Sequence, residues 1–215
     1  MKNPHSQVTK AILLLSVCTL LSLYTAQAVS AQTTTVKVEP STTTPVVGQT
    51  LTVNITISNV QNLYGVYVTL SWNTSALKVL TNTALLGVES HPNGVLHETI
   101  DIVEASASQQ TGTYTLIATS TGSQTASFSG SGTIATLTFN VTSLGRTTLE
   151  LETELADKPA SGGTSNFIDH NDVSSSVDVA IPEFPTLTAI IVLIILVTGT
   201  LVVSKKHIKK TPSKP

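Results

Sequence analysis

From Gly48 to Leu80 apolar and polar side chains alternate with a period of two. Leu51, Val53, Ile55 and Ile57 fall on one side of the chain, and Thr52, Asn54, Thr56 and Ser58 on the other. Successive side chains of a pleated strand point to opposite faces, so this pattern predicts a half-buried strand. The arrangement repeats with Val66, Val68, Leu70 and Trp72 against Tyr67, Thr69 and Ser71. Asn59 to Gly65, polar and containing glycine, reads as the connection between two strands, and Asn73-Thr74-Ser75 as a reversal after them.

The same period marks further elements. Val36-Lys37-Val38, closed off by Pro40 and Pro45, predicts a short edge strand, because proline is tolerated mainly at sheet edges and strand ends. Ala76 to Leu80 directs Leu77 and Val79 inward, and Tyr114 to Thr119 predicts another strand. Val95 to Val103 is rich in β-formers, although Glu98 falls on the side of Leu96, Ile100 and Ile102. Ser120 to Gly132 reads as a loop. Thr133 to Val141 then sends Ala135, Leu137, Phe139 and Val141 inward. Thr147 to Thr153 buries Leu149 and Leu151, Lys158 to Asn166 is a Gly/Ser loop, and Val177 to Val179 closes the series. Eight or nine short strands without an amphipathic helix predict an all-β sandwich over residues 32–180.

Composition changes the picture at the two ends. The 215 residues are 40% hydrophobic, yet much of that content sits in two terminal segments while the middle is rich in Thr, Ser, Asn and Gly. Residues 1–31 carry Lys2 and Lys10, an apolar run from Ala11 to Tyr24, and small residues at Ala26, Ala28 and Ala31. This is the anatomy of a secretory signal peptide, with cleavage expected after Ala28 or Ala31. Cys18 is the single cysteine and lies inside the apolar run, so the exported body would hold together without disulfides. Phe184 to Val203 is apolar and, at about 1.5 Å per residue, long enough to cross a hydrocarbon layer roughly 30 Å thick. A membrane helix is expected over residues 186–204. The lysines of residues 205–215 place that tail in the cytoplasm and the body outside.

The outer part then holds Lys37, Lys78, Arg146 and Lys158 against all thirteen Asp and Glu residues, a net charge of −9. So acidic a surface excludes nucleic acid, whose phosphates require a basic one.

Little in the chain suggests catalysis. There is no Gly-x-Ser-x-Gly elbow, and Glu150, Glu152 and Glu154 alternate as the solvated face of a strand does. No catalytic residue and no resident cofactor is expected. His97 and Asp101 would lie about 13 Å apart on an extended strand, too far to share an ion. Asp169, Asn171 and Asp172 crowd oxygen ligands into one stretch and are weak candidates for calcium, lacking the spacing and glycine of an EF-hand loop. A sugar-binding platform would want several exposed rings. Tyr67 on the wet face is the ligand-contact candidate, with Tyr64 and Tyr114 as lesser ones. Asn54, Asn73 and Asn140 each open an Asn-x-Ser/Thr sequon on a wet face or turn, where N-glycosylation is expected.

Four motifs in order resemble the cohesin domains, relatives of the carbohydrate-binding-module sandwich. They are Val47-Gly48-Gln49-Thr50-Leu51-Thr52-Val53, the stretch Leu63 to Asn73 (LYGVYVTLSWN), Ala76-Leu77-Lys78-Val79-Leu80, and Gly130 to Val141 (GSGTIATLTFNV). The resemblance spans about Thr34 to Val179 and lapses between Gly87 and Gly130. It implies a jelly-roll sandwich of about nine strands and a non-enzymatic module that recognises a protein partner, such as a dockerin-like one, at the cell surface. The alternatives are a carbohydrate-binding surface module directed at polysaccharide and a structural or adhesive envelope component. Residues 181–185, with Pro182, Glu183, Phe184 and Pro185, resemble the PEF-type sorting signals of archaeal surface proteins. That resemblance implies an archaeal origin and replacement of the membrane helix by a lipid anchor; an ordinary single-pass membrane protein is the alternative.

Overall fold

The computed structural model describes residues 32–122, 124–161, 163–181 and 190–198. The expected signal peptide with its candidate cleavage positions Ala28 and Ala31, the candidate sorting motif Pro182 to Pro185 and the basic tail lie outside the described residues. Residues 190–198 are helical. No helix among the described residues is long and apolar enough to cross a membrane, and the expected span 186–204 extends past them on both sides.

Nine strands form the body: β1 (Thr34–Pro40), β2 (Thr50–Ser71), β3 (Leu77–Ala84), β4 (Ile100–Ser108), β5 (Thr113–Ser120), β6 (Phe128–Val141), β7 (Gly145–Asp157), β8 (His170–Val173) and β9 (Ser175–Val179). The all-β expectation holds. Its first detail does not, because the two strands and turn expected between Leu51 and Trp72 are one strand of 22 residues. β2 serves both layers. Its first half pairs antiparallel with β1 and β6, and its second half, from Gly65 to Ser71, pairs antiparallel with β5 and β7. One layer therefore runs β3-β6-β2-β1-β8. The other runs β4-β5-β2-β7, with β9 along the first residues of β7.

The polar stretch misread as a turn is what carries β2 from one layer to the other. Asn59 and Asn62 have φ of 58° and 59°, a left-handed conformation that asparagine tolerates better than most residues. The register with β6 shifts on each side of Val60. The amides freed at these bulges find partners, since Asn59 N–H donates to Ser131 Oγ (3.1 Å) and Asn62 N–H to Ser129 Oγ (3.0 Å). Bulges bend a strand and add twist, which is how a sheet turns a corner. Asn59→Val places a β-branched side chain at positive φ and should cost about 1–2 kcal/mol in a urea titration.

Both halves of β2 face one core. Leu51, Val53, Ile55 and Ile57 meet Val66, Val68 and Leu70 in a single cluster completed by Leu116, Leu137, Phe139, Leu149 and Leu155. Trp72 packs edge-on against Phe139, with ring centroids 5.0 Å apart, an arrangement that suits the ring quadrupoles.

Three other expectations need correction. β1 is not an edge strand, because β8 pairs with it in parallel from Thr34↔His170 to Lys37↔Val173. Val95 and Leu96 belong to a buried loop, and the strand starts later, at Ile100, and runs to Ser108. β6 begins at Phe128, inside the stretch read as loop.

The connection from Leu85 to Thr99 is tightly built. Leu86 C=O accepts from Val95 N–H (2.6 Å) and Leu96 N–H (2.8 Å), and Asn93 C=O accepts from Thr133 N–H (2.8 Å). Gly94 presses so closely on the Gly87 carbonyl that a Cβ there would overlap backbone.

Tyr114 is fully buried, and its hydroxyl has no hydrogen-bond partner among the described residues. Burial pushes its phenol up to about 12 from 10.0. Between these values the folded chain keeps a proton that the unfolded chain releases, so stability falls as pH rises through the window, by roughly 2 kcal/mol. Tyr114→Phe should flatten that alkaline limb in urea titrations from pH 9 to 12. At neutral pH it should cost under about 1 kcal/mol, since the hydroxyl it removes is unpaired.

Candidate functional site

The outer face of the β4-β5-β2-β7 layer is ordered by strand register. One row crosses it as Glu154, Tyr67, Ile117 and Glu104, and the next as Glu152, Thr69, Thr115 and Ser106. A third holds Glu150, Ser71, Thr113 and Ser108. Alternation explains why these residues share a face: their neighbours Val66, Val68, Leu70, Leu116, Leu151 and Leu155 are committed to the core. Tyr67, 38% exposed, accepts a hydrogen bond on its hydroxyl from Thr69 Oγ1 (3.1 Å), which fixes the ring along its own strand.

The centre is thus a ring beside a β-branched side chain, with carboxylates on both flanks. No lysine or arginine lies in these three rows. Farther along β7, Arg146 is bonded through its guanidinium to Ser176 Oγ (3.1 Å). The surface has the elements of a docking patch: an aromatic anchor, small Thr and Ser side chains around it, and one sign of charge at the rim.

The other tyrosines do not extend this patch into a sugar platform. Tyr114 is in the core. Tyr64 donates its hydroxyl to Gly122 C=O (2.8 Å), and the Lys158 ammonium lies 5.9 Å from its ring centroid.

Two sequons lie on the opposite outer face. Asn54 pairs with Glu39 and Thr136, and Asn140 with Thr50 and Lys78, all in the β3-β6-β2-β1-β8 layer. Asn54 Oδ1 accepts from Thr136 Oγ1 (2.8 Å). Since both layers bury the same core, Asn54 and Tyr67 point away from each other, and glycans at Asn54 and Asn140 would leave the Tyr67 face bare. Asn73 is exposed in the turn after β2, where its Oδ1 accepts from Ser75 N–H (2.9 Å).

The stretch proposed for calcium is not a loop. His170 to Val173 form β8, whose alternation sends Asn171 and Asp172 to opposite sides. Asp172 is engaged by Thr153, whose N–H (2.7 Å) and Oγ1 (2.6 Å) both donate to its carboxylate. Asp169 precedes the strand and is exposed. Among the described residues no group of three His, Cys, Asp or Glu side chains is placed to hold a metal ion. His97 meets Glu89 rather than Asp101, with Nδ1 and Oε1 2.7 Å apart. That contact, with the Glu98 N–H as a second donor, holds the Glu89 carboxyl below its usual range.

Sequence reasoning singled out Tyr67 but missed Ile117 and Glu104 beside it. The signal for Glu104 was present, since Glu104, Ser106 and Ser108 alternate with Ala105 and Ala107.

The fold recurs among solved structures. A type II cohesin from the cellulosome of Acetivibrio cellulolyticus is 17% identical and superposes with a TM-score of 0.55, covering 68% of this chain and 95% of that one. A type I cohesin from Pseudobacteroides cellulosolvens gives 17% identity and 0.51, over 70% and 94%. A type II cohesin–X-dockerin complex, also from A. cellulolyticus, gives 16% and 0.52, over 68% and 99%. At these identities the likeness shows the fold alone. No curated protein sequence matches the chain. The cohesin domain family model matches residues 34–179, the whole sandwich from β1 to β9. The chain belongs to the cohesin domain family.

Proposed function

We propose that the chain is a non-enzymatic recognition module that docks a protein partner, of the dockerin type, on the outer face of the β4-β5-β2-β7 layer. The observation that carries this reading is the row Glu154, Tyr67, Ile117 and Glu104. It is an apolar centre between carboxylates, on the sandwich face free of the strand-borne sequons. The cohesin in the A. cellulolyticus complex was solved with a dockerin, which supports a partner of that class. Charge complementarity calls for a partner that is basic around an apolar contact.

In the same proposal the module is exported by residues 1–31 and held outside the cell by residues 186–204 or by a lipid added after processing at Pro182 to Pro185. N-glycans at Asn54, Asn73 and Asn140 belong to it as well. The test is capture of proteins from extracts of the source organism on the detergent-solubilised full chain, with mass spectrometry of what is retained. A retained protein whose binding weakens as salt rises from 0.05 to 0.5 M supports the proposal. Retention of nothing above a blank resin refutes it. Intact mass of the mature protein reads the two cleavages and the glycans directly.

A further inference from the structure

We propose a second interface, separate from the Tyr67 face: the free edge of β4 accepts an extended, basic segment of a partner protein as an added strand. The two layers each end in an edge strand on the same side of the sandwich, β3 in one and β4 in the other. These edges differ. β3 is capped by Gln109, whose Oε1 accepts from Val79 N–H (2.7 Å) and whose Nε2 donates to Leu77 C=O (3.1 Å) and Thr74 C=O (3.2 Å). β4 pairs with β5 alone among the described residues. It has no lysine or proline of the kind that commonly protects such an edge; its charges, Asp101 and Glu104, are both acidic, and a register shift between Ile102 and Glu104 leaves Ile100 to Ile102 as its regular stretch beside the cavity. It is exposed almost throughout, with Ile102 at 49% and Val103 at 69%.

Beside this edge, between the end of β3 and the start of β4, opens a cavity of about 310 Å³. Ala84, Leu86, Ile100 and Ile102 give it apolar walls, and Ser90, His91 and Glu98 stand in its lining. Glu98 Oε1 and Ser90 Oγ lie over Gly87, where a Cβ would collide with both. The Glu98 carboxylate has no hydrogen-bonding partner among the described residues, its backbone N–H being the group that binds Glu89. An apolar wall leading to an unpaired carboxylate fits a side chain with a methylene stem and a cationic head, that is, lysine or arginine. Strand addition supplies the remaining recognition: backbone hydrogen bonds hold the incoming segment, and a cavity reads every second side chain. Asp101, on the opposite side of β4 from Ile100 and Ile102, favours the same basic character.

The probe is a fluorescein-labelled peptide of alternating valine and arginine, seven residues long, titrated against the full chain in detergent by fluorescence anisotropy. Binding is expected to weaken about tenfold in Glu98→Gln, as loss of a charge-assisted bond implies. It should disappear in Ile102→Lys and persist in Tyr67→Ala. A peptide N-methylated at alternate amides, with the same charge, should not bind. That arm keeps the proposal testable if Ile102→Lys fails to fold. Equal binding of the N-methylated peptide, or unchanged binding in Glu98→Gln and Ile102→Lys, overturns it, because the acidic surface alone then accounts for the attraction. Loss of binding in Tyr67→Ala overturns it as well, by placing the peptide on the other face.

Discussion

Phe139→Ala is expected to lower stability by about 3–5 kcal/mol and the melting temperature by roughly 10 °C. Phe139 is fully buried in the core. On its layer it lies between Leu51 of β2 and Val79 of β3, and its ring makes a T-shaped contact with Trp72, just past the far end of β2. Truncation leaves a cavity that Trp72 cannot refill without leaving its own place under the turn at Asn73. Phe139→Leu keeps most of the volume and should cost less than half as much. Differential scanning calorimetry of the three chains checks both values.

Tyr67→Ala is expected to weaken partner binding by about thirtyfold while leaving the melting temperature within a degree or two. Aromatic side chains at the centre of an interface commonly contribute around 2 kcal/mol. Among the described residues the Tyr67 hydroxyl is bonded by Thr69 alone, and neither side chain is buried in the core. Glu154→Gln and Glu104→Gln, at the two ends of the same row, should act mainly on the association rate and its dependence on salt. Surface plasmon resonance against the captured partner separates these effects. A fall in stability that tracks the fall in affinity would show that Tyr67 holds the sheet rather than the partner.

Most of the sandwich was legible because each layer has one wet and one buried face. The inward residues of β2, β6 and β7 could be named from alternation alone, whereas in β5 Tyr114, read as a lesser ring of an exposed platform, is fully buried. What failed did so for local physical reasons. Asn59 and Asn62 supply positive φ to a bulge as readily as to a turn, so a strand that changes layers looks like two strands. β8 is short, and His170-Asn171-Asp172 is as polar as a loop; its place beside β1 depends on a parallel pairing that no local pattern encodes. In β4 the register shift between Ile102 and Glu104 interrupts the alternation and hides the strand beyond it.

The site was half legible for the same reason. Tyr67 stood out as an aromatic residue on a wet face. Ile117 and Glu104 become its neighbours only through pairings of β2 with β5 and of β5 with β4. The sequons were visible as motifs, but which outer face each occupies depends on the crossing of β2 at Asn59 and Asn62. That crossing separates Asn54 from Tyr67, and with it the face that carries the Asn54 and Asn140 sequons from the face proposed for docking.

The most direct measurement is capture from extracts of the source organism on three full-length chains: the wild type, Ile117→Lys and Thr138→Lys. Ile117 lies beside Tyr67, and Thr138 lies on the opposite outer face between Thr52 and Thr81. The docking proposal requires the wild type and Thr138→Lys to retain the same protein and Ile117→Lys to lose it. Retention by Ile117→Lys with loss by Thr138→Lys would place the interface on the other layer, and retention of nothing by any of the three would remove the recognition module itself.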